Sequence, residues 1–180
     1  MNKKYVDRLQ SRTAHLAIGA STLRAQGAPG VVETARAYMK KMQLYRLQKI
    51  KSEKDYQKKL NIHTGRLSMK FPRGAKRNWG AARKALNIFL RDIVYNRHLC
   101  NWYKLEHLEP WLELPLDSSY IADGIKKDKS ACERLPKWKS IKSLSKEDSD
   151  VFQQIARAIA RREGVNRVHL DLKYWRKGKL

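Results

Sequence analysis

The sequence has 180 residues, of which 42% are hydrophobic and 32% are charged. This composition is untypical of a disordered protein, and the apolar runs are far shorter than the roughly 20 residues that span a bilayer. Forty Lys and Arg against 17 Asp and Glu leave a net charge of +23. Because such a charge repels itself unless a polyanion neutralises it, we expect residues 1–180 to form one soluble domain that binds nucleic acid and no membrane.

The two cysteines, Cys100 and Cys132, are too far apart and too isolated from other Cys or His residues to build a metal cluster. We therefore expect no metal and no cofactor. The residues from Met1 to Asp7 are charged and no apolar segment follows them, which is untypical of a secretory signal. We expect a monomeric protein of the reducing cytoplasm, associated with the nucleoid.

Glycine and proline are sparse and apolar residues recur every three or four positions, which predicts an almost entirely helical chain. The first helix is predicted over about 3–18 and the second over about 32–42. Residues 46–70 carry more charge and fewer apolar residues. We predict a frayed helix end, a short helix and a connector there.

The clearest helical pattern extends from Trp79 to Tyr103, where we predict one long helix. Its buried face carries Ala82, Leu86, Phe89, Ile93 and Cys100. Its opposite face carries Lys84, Asn87, Arg91, Tyr95 and His98, with Ile88 beside them. Any chemistry of this helix is expected on that second face.

The last third of the chain contains two helix starts. Asp117 or Ser118 is a natural N-cap for a helix that reaches about Lys126. Residues 145–148 resemble a capping box that opens a helix to Glu163, which Gly164 ends. The tail, 168–175, is predicted as a helix because no partner strand is available.

Three short motifs follow one another in the second half of the chain: Gly80 with Lys84, then Pro115-Leu116-Asp117, then His169-Leu170-Asp171 with Trp175. Their order and spacing resemble the helix-hairpin-helix DNA glycosylase superfamily, and are nearest to its archaeal 8-oxoguanine DNA glycosylase branch. The resemblance covers about residues 79–175. In the family, a second hairpin glycine falls where this chain has Ala82.

The resemblance implies an all-α fold of two helical lobes around a cleft that binds DNA and the target base. It implies that Lys84 and Asp117 are catalytic. The base pocket would comprise Ile88, Arg91, Asp171 and Trp175, and the DNA contacts would comprise Lys76, Arg77, Trp79, Gly80 and Arg83. The expected partner is double-stranded DNA that contains a modified base, either an oxidised purine such as 8-oxoguanine or a bulky modified cytosine of phage DNA in an antiphage role.

The chemistry of the residue types agrees with this activity, base excision followed by cleavage at the abasic site. A neutral lysine amine is a nucleophile, and crowding by Arg83 and Arg91 or desolvation beside Ile88 would favour the neutral form. The carboxylate of Asp117 would stabilise the positive charge that develops on the sugar. The target nucleotide would be flipped out of the duplex to reach both groups.

Two alternatives remain open. Arg91-Asp92 followed by His98 also fits the motif of the all-helical HEPN ribonucleases, in which His would act as a general base and Arg would hold the phosphate. The chain could instead be a non-catalytic nucleic-acid-binding module. In that case Lys84 is a solvated or phosphate-contacting lysine and Asp117 is an ordinary helix cap.

Overall fold

The computed structural model describes residues 2–117, 121–128 and 135–174, and all regular secondary structure in these ranges is helical. The prediction of an all-α fold is confirmed. The helices are α1 (Lys3–Ala17), α2 (Val31–Lys40), α3 (Glu53–Lys70), α4 (Trp79–Tyr95), α5 (Arg97–Tyr103), α6 (Ile121–Lys126), α7 (Lys146–Arg162) and α8 (Leu170–Tyr174). Short 3₁₀ turns occupy Leu44–Lys49, Arg73–Ala75, Glu106–Trp111 and Arg167–His169. Among the described helices, none is both long and apolar enough to cross a membrane.

Polar caps fix several helix starts where the sequence predicts them. The side chain of Asn2 accepts a hydrogen bond from the Tyr5 amide at the start of α1. The side chain of Ser145 does the same for the Asp148 amide at the start of α7, as the capping pattern predicts. Gly164 follows α7 with a positive φ of 66°, which a glycine adopts at little cost.

The buried apolar residues form two clusters. The first cluster joins α1 to α5 and includes Val6, Met39, Leu67, Phe89 and Leu99. The second cluster joins α6, α7 and α8 to the segment before α6, and includes Leu114, Leu116, Ile125, Phe152 and Leu170. Trp138 packs against both clusters. The segment from Leu112 to Asp117 therefore passes from one cluster to the other.

The interpretation of residues 46–70 is wrong, because Glu53–Lys70 forms an 18-residue helix. Tyr56, Leu60, Thr64 and Leu67 are buried at helical spacing. This buried stripe is only one residue wide and includes a threonine. Because lysines surround it in the sequence, the hydropathy pattern does not indicate a long amphipathic helix.

The prediction of one helix from Trp79 to Tyr103 is also wrong, although its proposed core face is buried throughout. Asn96 leaves the helical conformation with φ −81° and ψ 100°. Its side chain accepts a hydrogen bond from the Leu99 amide, so it ends α4 and caps α5. An asparagine that competes with the backbone for hydrogen bonds interrupts the helix at this point.

Candidate active site at the Lys84–Asp117 pair

A cavity of about 490 Å³ lies where α4 meets the segment before α6 and the start of α8. The predicted site residues Lys84, Ile88, Arg91, Asp117 and Asp171 all line it. The other lining residues are Asp92, Tyr95, Pro115 and Leu172, together with Leu16, Ala17, Ser21 and Thr22 from the end of α1 and the loop after it. The contribution of α1 has no signal in the sequence, because it depends on how α1 packs against α4.

Lys84 contacts Asp117 inside this cavity. The lysine Nζ donates a hydrogen bond to the Asp117 carboxylate, although the two residues are 33 positions apart in the sequence. The Lys84 side chain is 8% exposed and that of Asp117 is 35% exposed. An amine shielded from bulk water and a carboxylate nearer the solvent therefore meet at one point of the wall.

Asp171 lies beside this pair and binds Arg91. The Arg91 guanidinium contacts the carboxylates of Asp171 and Asp92. Burial raises the pKa of Asp171, the negative charges of Asp92 and Asp117 act in the same direction, and Arg91 opposes them without cancelling them. The side chains around the cavity thus carry two cationic and three acidic groups, which leaves this wall slightly acidic.

Tyr95, on the same wall, begins a hydrogen-bonded chain that leads out of the cavity. Its hydroxyl lies 2.6 Å from Nδ1 of His169, and Nε2 of His169 lies 2.9 Å from Oε1 of Glu109. Burial, with help from Asp171 and Glu109, raises the pKa of Tyr95 to about 12 in spite of Arg91. Tyr95 therefore keeps its proton, its hydroxyl shares a hydrogen bond with Nδ1 of His169, and the Glu109 carboxylate accepts one from Nε2. The sequence places Tyr95 on the correct face, but nothing in it points to Glu109 as the end of this chain.

Arg83, a predicted DNA contact, is buried, and its side chain is 2% exposed. Its Nε and one terminal nitrogen donate to the two carboxylate oxygens of Glu113 at 2.8 and 2.9 Å. Further donors reach Asn61 at 2.9 Å and Thr64 at 3.1 Å. Because Glu113 balances its charge, Arg83 is also not the unpaired cation expected to crowd Lys84. A single acid between two leucines, Leu112-Glu113-Leu114, is the sequence signal that could have indicated a buried carboxylate.

Gly80, another predicted DNA contact, is buried against the chain that precedes α7. A Cβ added there would lie 2.0 Å from the carbonyl oxygen of Ile141. The neighbouring amide of Ala81 is already bound by the side chain of Asn78 at 3.0 Å. Glycine is therefore needed here for close packing.

The remaining predicted DNA contacts differ in exposure. Lys76 and Arg77 are exposed in the turn before α4, where a nucleic acid could reach them. Trp79 is half-buried: it packs against the second cluster, and the Arg83 guanidinium lies 5.0 Å from its ring centre. Trp79 is therefore mainly a packing residue.

Two further expectations concern Trp175 and His98. Trp175, like Ser118, lies outside the described residues. His98 is exposed on α5 beyond the break at Asn96 and does not line the cavity that Arg91 lines. The structure thus does not bring the Arg91 and His98 pair of the ribonuclease alternative to a common pocket.

Within the ranges that the structure describes, no group of three or more His, Cys, Asp or Glu side chains could hold a metal ion. Comparison of the chain with protein-family models, with curated proteins and with solved structures finds no match.

Proposed function

We propose that this protein is a DNA glycosylase with AP lyase activity that removes a modified base from double-stranded DNA. One observation carries the proposal: the Lys84 amine and the Asp117 carboxylate, distant in sequence, contact each other in a cavity that Ile88, Arg91 and Asp171 also line. The resemblance to helix-hairpin-helix glycosylases assigns Lys84 and Asp117 as the catalytic pair. It assigns Ile88, Arg91 and Asp171 to the base pocket. The two helical clusters, with this cavity beside the segment that joins them, are consistent with a two-lobed member of that superfamily.

The contact between Lys84 and Asp117 allows a balanced reaction. Lys84 gives up a proton to Asp117, and its free amine attacks C1′ of the flipped nucleotide. The bond from C1′ to the base nitrogen breaks, its electron pair leaves with the base, and the base takes up the proton from Asp117. The attack leaves a positive charge on the new secondary amine, and the ionised Asp117 takes a proton from this nitrogen and passes it to the ring oxygen O4′. The bond from C1′ to O4′ then breaks, and a protonated Schiff base forms on Lys84. Asp117, ionised again, takes a proton from C2′, and the electron pair of that bond expels the 3′ phosphate and cleaves the strand.

The cavity suits a single flipped base. Its volume of about 490 Å³ is within the range of small-molecule pockets, and it has both an apolar wall at Ile88 and polar groups. Asp171 can accept hydrogen bonds from N–H donors of a base and Arg91 can donate to its carbonyl oxygens. These groups suit an oxidised purine such as 8-oxoguanine, and also a hydroxyl-rich cytosine of phage DNA.

Borohydride trapping tests the role of Lys84. Reduction of the Schiff base should fix a covalent adduct between the protein and duplex DNA that carries the substrate base. Lys84→Gln should abolish the adduct and strand cleavage. The matched control is Lys4→Gln, which removes the same charge from an exposed position outside the predicted DNA contacts and should leave trapping intact. An adduct that persists in Lys84→Gln would show that another amine is the nucleophile.

Asp117→Asn tests the carboxylate separately. We expect base release, measured by mass spectrometry of the freed base, to fall by orders of magnitude while affinity for intact DNA changes little. A panel of oxidised, alkylated, deaminated and phage-modified duplexes identifies the substrate in the same assay. Release of no base from any duplex, together with RNA cleavage that requires His98, would replace this proposal with the ribonuclease alternative.

A further inference from the structure

A second cavity, of about 710 Å³, lies between α2, the 3₁₀ turn Leu44–Lys49 and α3. It shares no lining residue with the cavity at Lys84. Five basic side chains line it, from Lys41, Arg46, Lys59, Arg66 and Lys70, and no carboxylate does. We call this cavity, together with the adjoining one described next, the α2–α3 groove.

The groove continues past Arg46, Lys59 and Ile62 into an adjoining cavity of about 670 Å³. Lys49 and Lys58 add two further cations there, and Asp55 is the one carboxylate among the lining residues that the structure describes. Tyr45 and Ile62 also line this part and are 51% and 38% exposed. The surface therefore combines a continuous basic track with an exposed aromatic ring and an exposed apolar side chain.

The five cations of the first cavity repel one another without local compensation. All five are exposed, and within the described part of the chain none of them is within ion-pair distance of an acidic side chain. A groove of like charges is stabilised when a polyanion occupies it and releases the counterions that the charges otherwise attract. The acidic wall around Lys84 lacks this property.

We propose that the α2–α3 groove binds the backbone of a single-stranded nucleic acid, with Tyr45 as a stacking surface for one of its bases. A basic groove that follows the backbone, combined with exposed aromatic rings, is the usual means of binding single strands. A duplex is less suited, since its phosphates lie on a broad cylinder and its bases have no free faces to stack on Tyr45. The proposal goes beyond base excision and does not depend on it.

His63, in the interior of the groove, should respond to a bound anion. The Tyr38 hydroxyl lies 2.7 Å from Nδ1 of His63. Burial lowers the pKa of His63, and the neighbouring charges of Arg66 and Lys59 lower it further. Tyr38 on α2 and the basic residues of α3 and the 3₁₀ turn face this ring, with no carboxylate among the residues that line the first cavity. A phosphate bound beside these cations would offset their effect and raise the pKa of His63.

The test measures binding of labelled oligothymidylate, oligouridylate and a duplex by fluorescence anisotropy at several salt concentrations. One variant combines Lys59→Gln, Arg66→Gln and Lys70→Gln in the groove. Its control combines Lys4→Gln, Arg8→Gln and Lys104→Gln, which removes the same charge from exposed positions outside the groove. The groove variant should lose at least about tenfold in single-strand affinity, and its salt slope should fall by about 2, since each lost phosphate contact contributes about 0.7. The control should stay near the wild type.

Two further measurements separate the parts of the proposal. Tyr45→Ala should weaken single-strand binding about tenfold without changing the salt slope, because stacking releases no counterions. In the wild type, an NMR titration should show a higher pKa for His63 with oligonucleotide than without it. Equal binding of deoxyribose and ribose strands supports recognition of the backbone alone, and a preference for oligouridylate supports an added contact to the 2′-hydroxyl.

Three results would overturn the proposal. The first is an equal loss of single-strand affinity in the two triple variants, and the second is that the wild type binds the duplex more tightly than the single strands and the groove variant loses this duplex binding. The third is a pKa of His63 that does not change in the saturated complex. Circular dichroism confirms that each variant is folded. The Lys84→Gln variant should retain single-strand binding. Failure of base excision with intact binding in the groove is therefore distinguishable from failure of the groove itself.

Discussion

Arg83 and Lys84 are adjacent on α4, yet they point into different environments, because successive helical residues are about 100° apart. Arg83 reaches Glu113 inside the protein, and Lys84 reaches Asp117 in the cavity. Glu113 is four residues before Asp117 on the same segment. The buried ion pair therefore fixes the segment against α4 next to the proposed catalytic pair, which makes Glu113 a positioning residue.

Replacement of Glu113 by glutamine should destabilise the protein strongly. Arg83 would remain buried without its charged partner, and breaking a buried pair in this way costs about 3–5 kcal/mol. The free energy of unfolding, measured in urea, reports this loss. The exposed Glu33→Gln serves as a control and should change stability by less than about 1 kcal/mol. A loss as small as that of the control would mean that Arg83 and Glu113 do not form the buried pair.

Glu113 should also make the free energy of unfolding depend on pH. Burial alone would raise the pKa of Glu113, but Arg83, Arg167 and Asn87 together outweigh burial and lower it from its ordinary value of 4.5. A carboxylate whose pKa is lower in the folded protein than in the unfolded chain stabilises the folded protein fully at a pH above its pKa in the unfolded chain. This stabilisation is lost as the pH falls through its pKa in the folded protein. We expect the free energy of unfolding of the wild type to decrease below about pH 4.5. Glu113→Gln should lack this part of the decrease when both proteins are unfolded in urea across that range.

At the scale of elements, two helical glycines provide a matched pair of substitutions. Gly80→Ala would place a methyl group against the Ile141 carbonyl oxygen and 2.9 Å from the Leu144 Cβ. We expect a loss of about 1–3 kcal/mol, as for other overpacked contacts. Gly65→Ala in α3 meets nothing within 4 Å and should stabilise by about 0.5–1 kcal/mol. Thermal unfolding of both variants checks the difference. If Gly80→Ala had normal stability but weakened DNA binding, this result would contradict the packing role of Gly80 and support its contact with a DNA phosphate.

The elements that could be predicted from the sequence are those with a wide apolar stripe or a strong cap. The helices α1 and α7 have both, and their ends agree with expectation to within a few residues. The helix α3 has a narrow stripe, and its stability depends on packing against α4, which a local pattern does not contain. The break at Asn96 follows from one side chain that prefers a cap to a helical position.

The candidate site could be predicted only in part. Lys84, Asp117 and Asp171 each belong to a short motif in the sequence, and the structure places all three on one cavity. The partners that hold them were missed, because Glu113, Glu109 and the end of α1 reach the site only through contacts between distant segments. The ion pair of Arg83 with Glu113 was missed for the same reason: helical periodicity alone does not reveal a buried carboxylate on another segment.

At the scale of the whole molecule, the net charge of +23 is unevenly distributed. The cavity at Lys84 has an acidic wall, whereas the α2–α3 groove is strongly basic. Charge and proposed chemistry are thus located in different parts of the protein. Electrostatic attraction would concentrate nucleic acid on the basic surface, and recognition of a base would depend on the fit of the separate cavity.

The proposed catalytic pair, Lys84 and Asp117, lies between the two clusters. Lys84 belongs to the helix that anchors the first cluster, and Asp117 directly follows Leu116 of the second. A small opening between the clusters would separate amine from carboxylate while both clusters remain folded. On gradual warming, trapping by borohydride should therefore decline before the helical circular dichroism signal does, and coincident curves would contradict this. Loss of trapping would therefore report the opening of the interface between the clusters at a lower temperature than global unfolding. Substitutions that tighten contacts around Trp138 should raise the temperature at which trapping is lost.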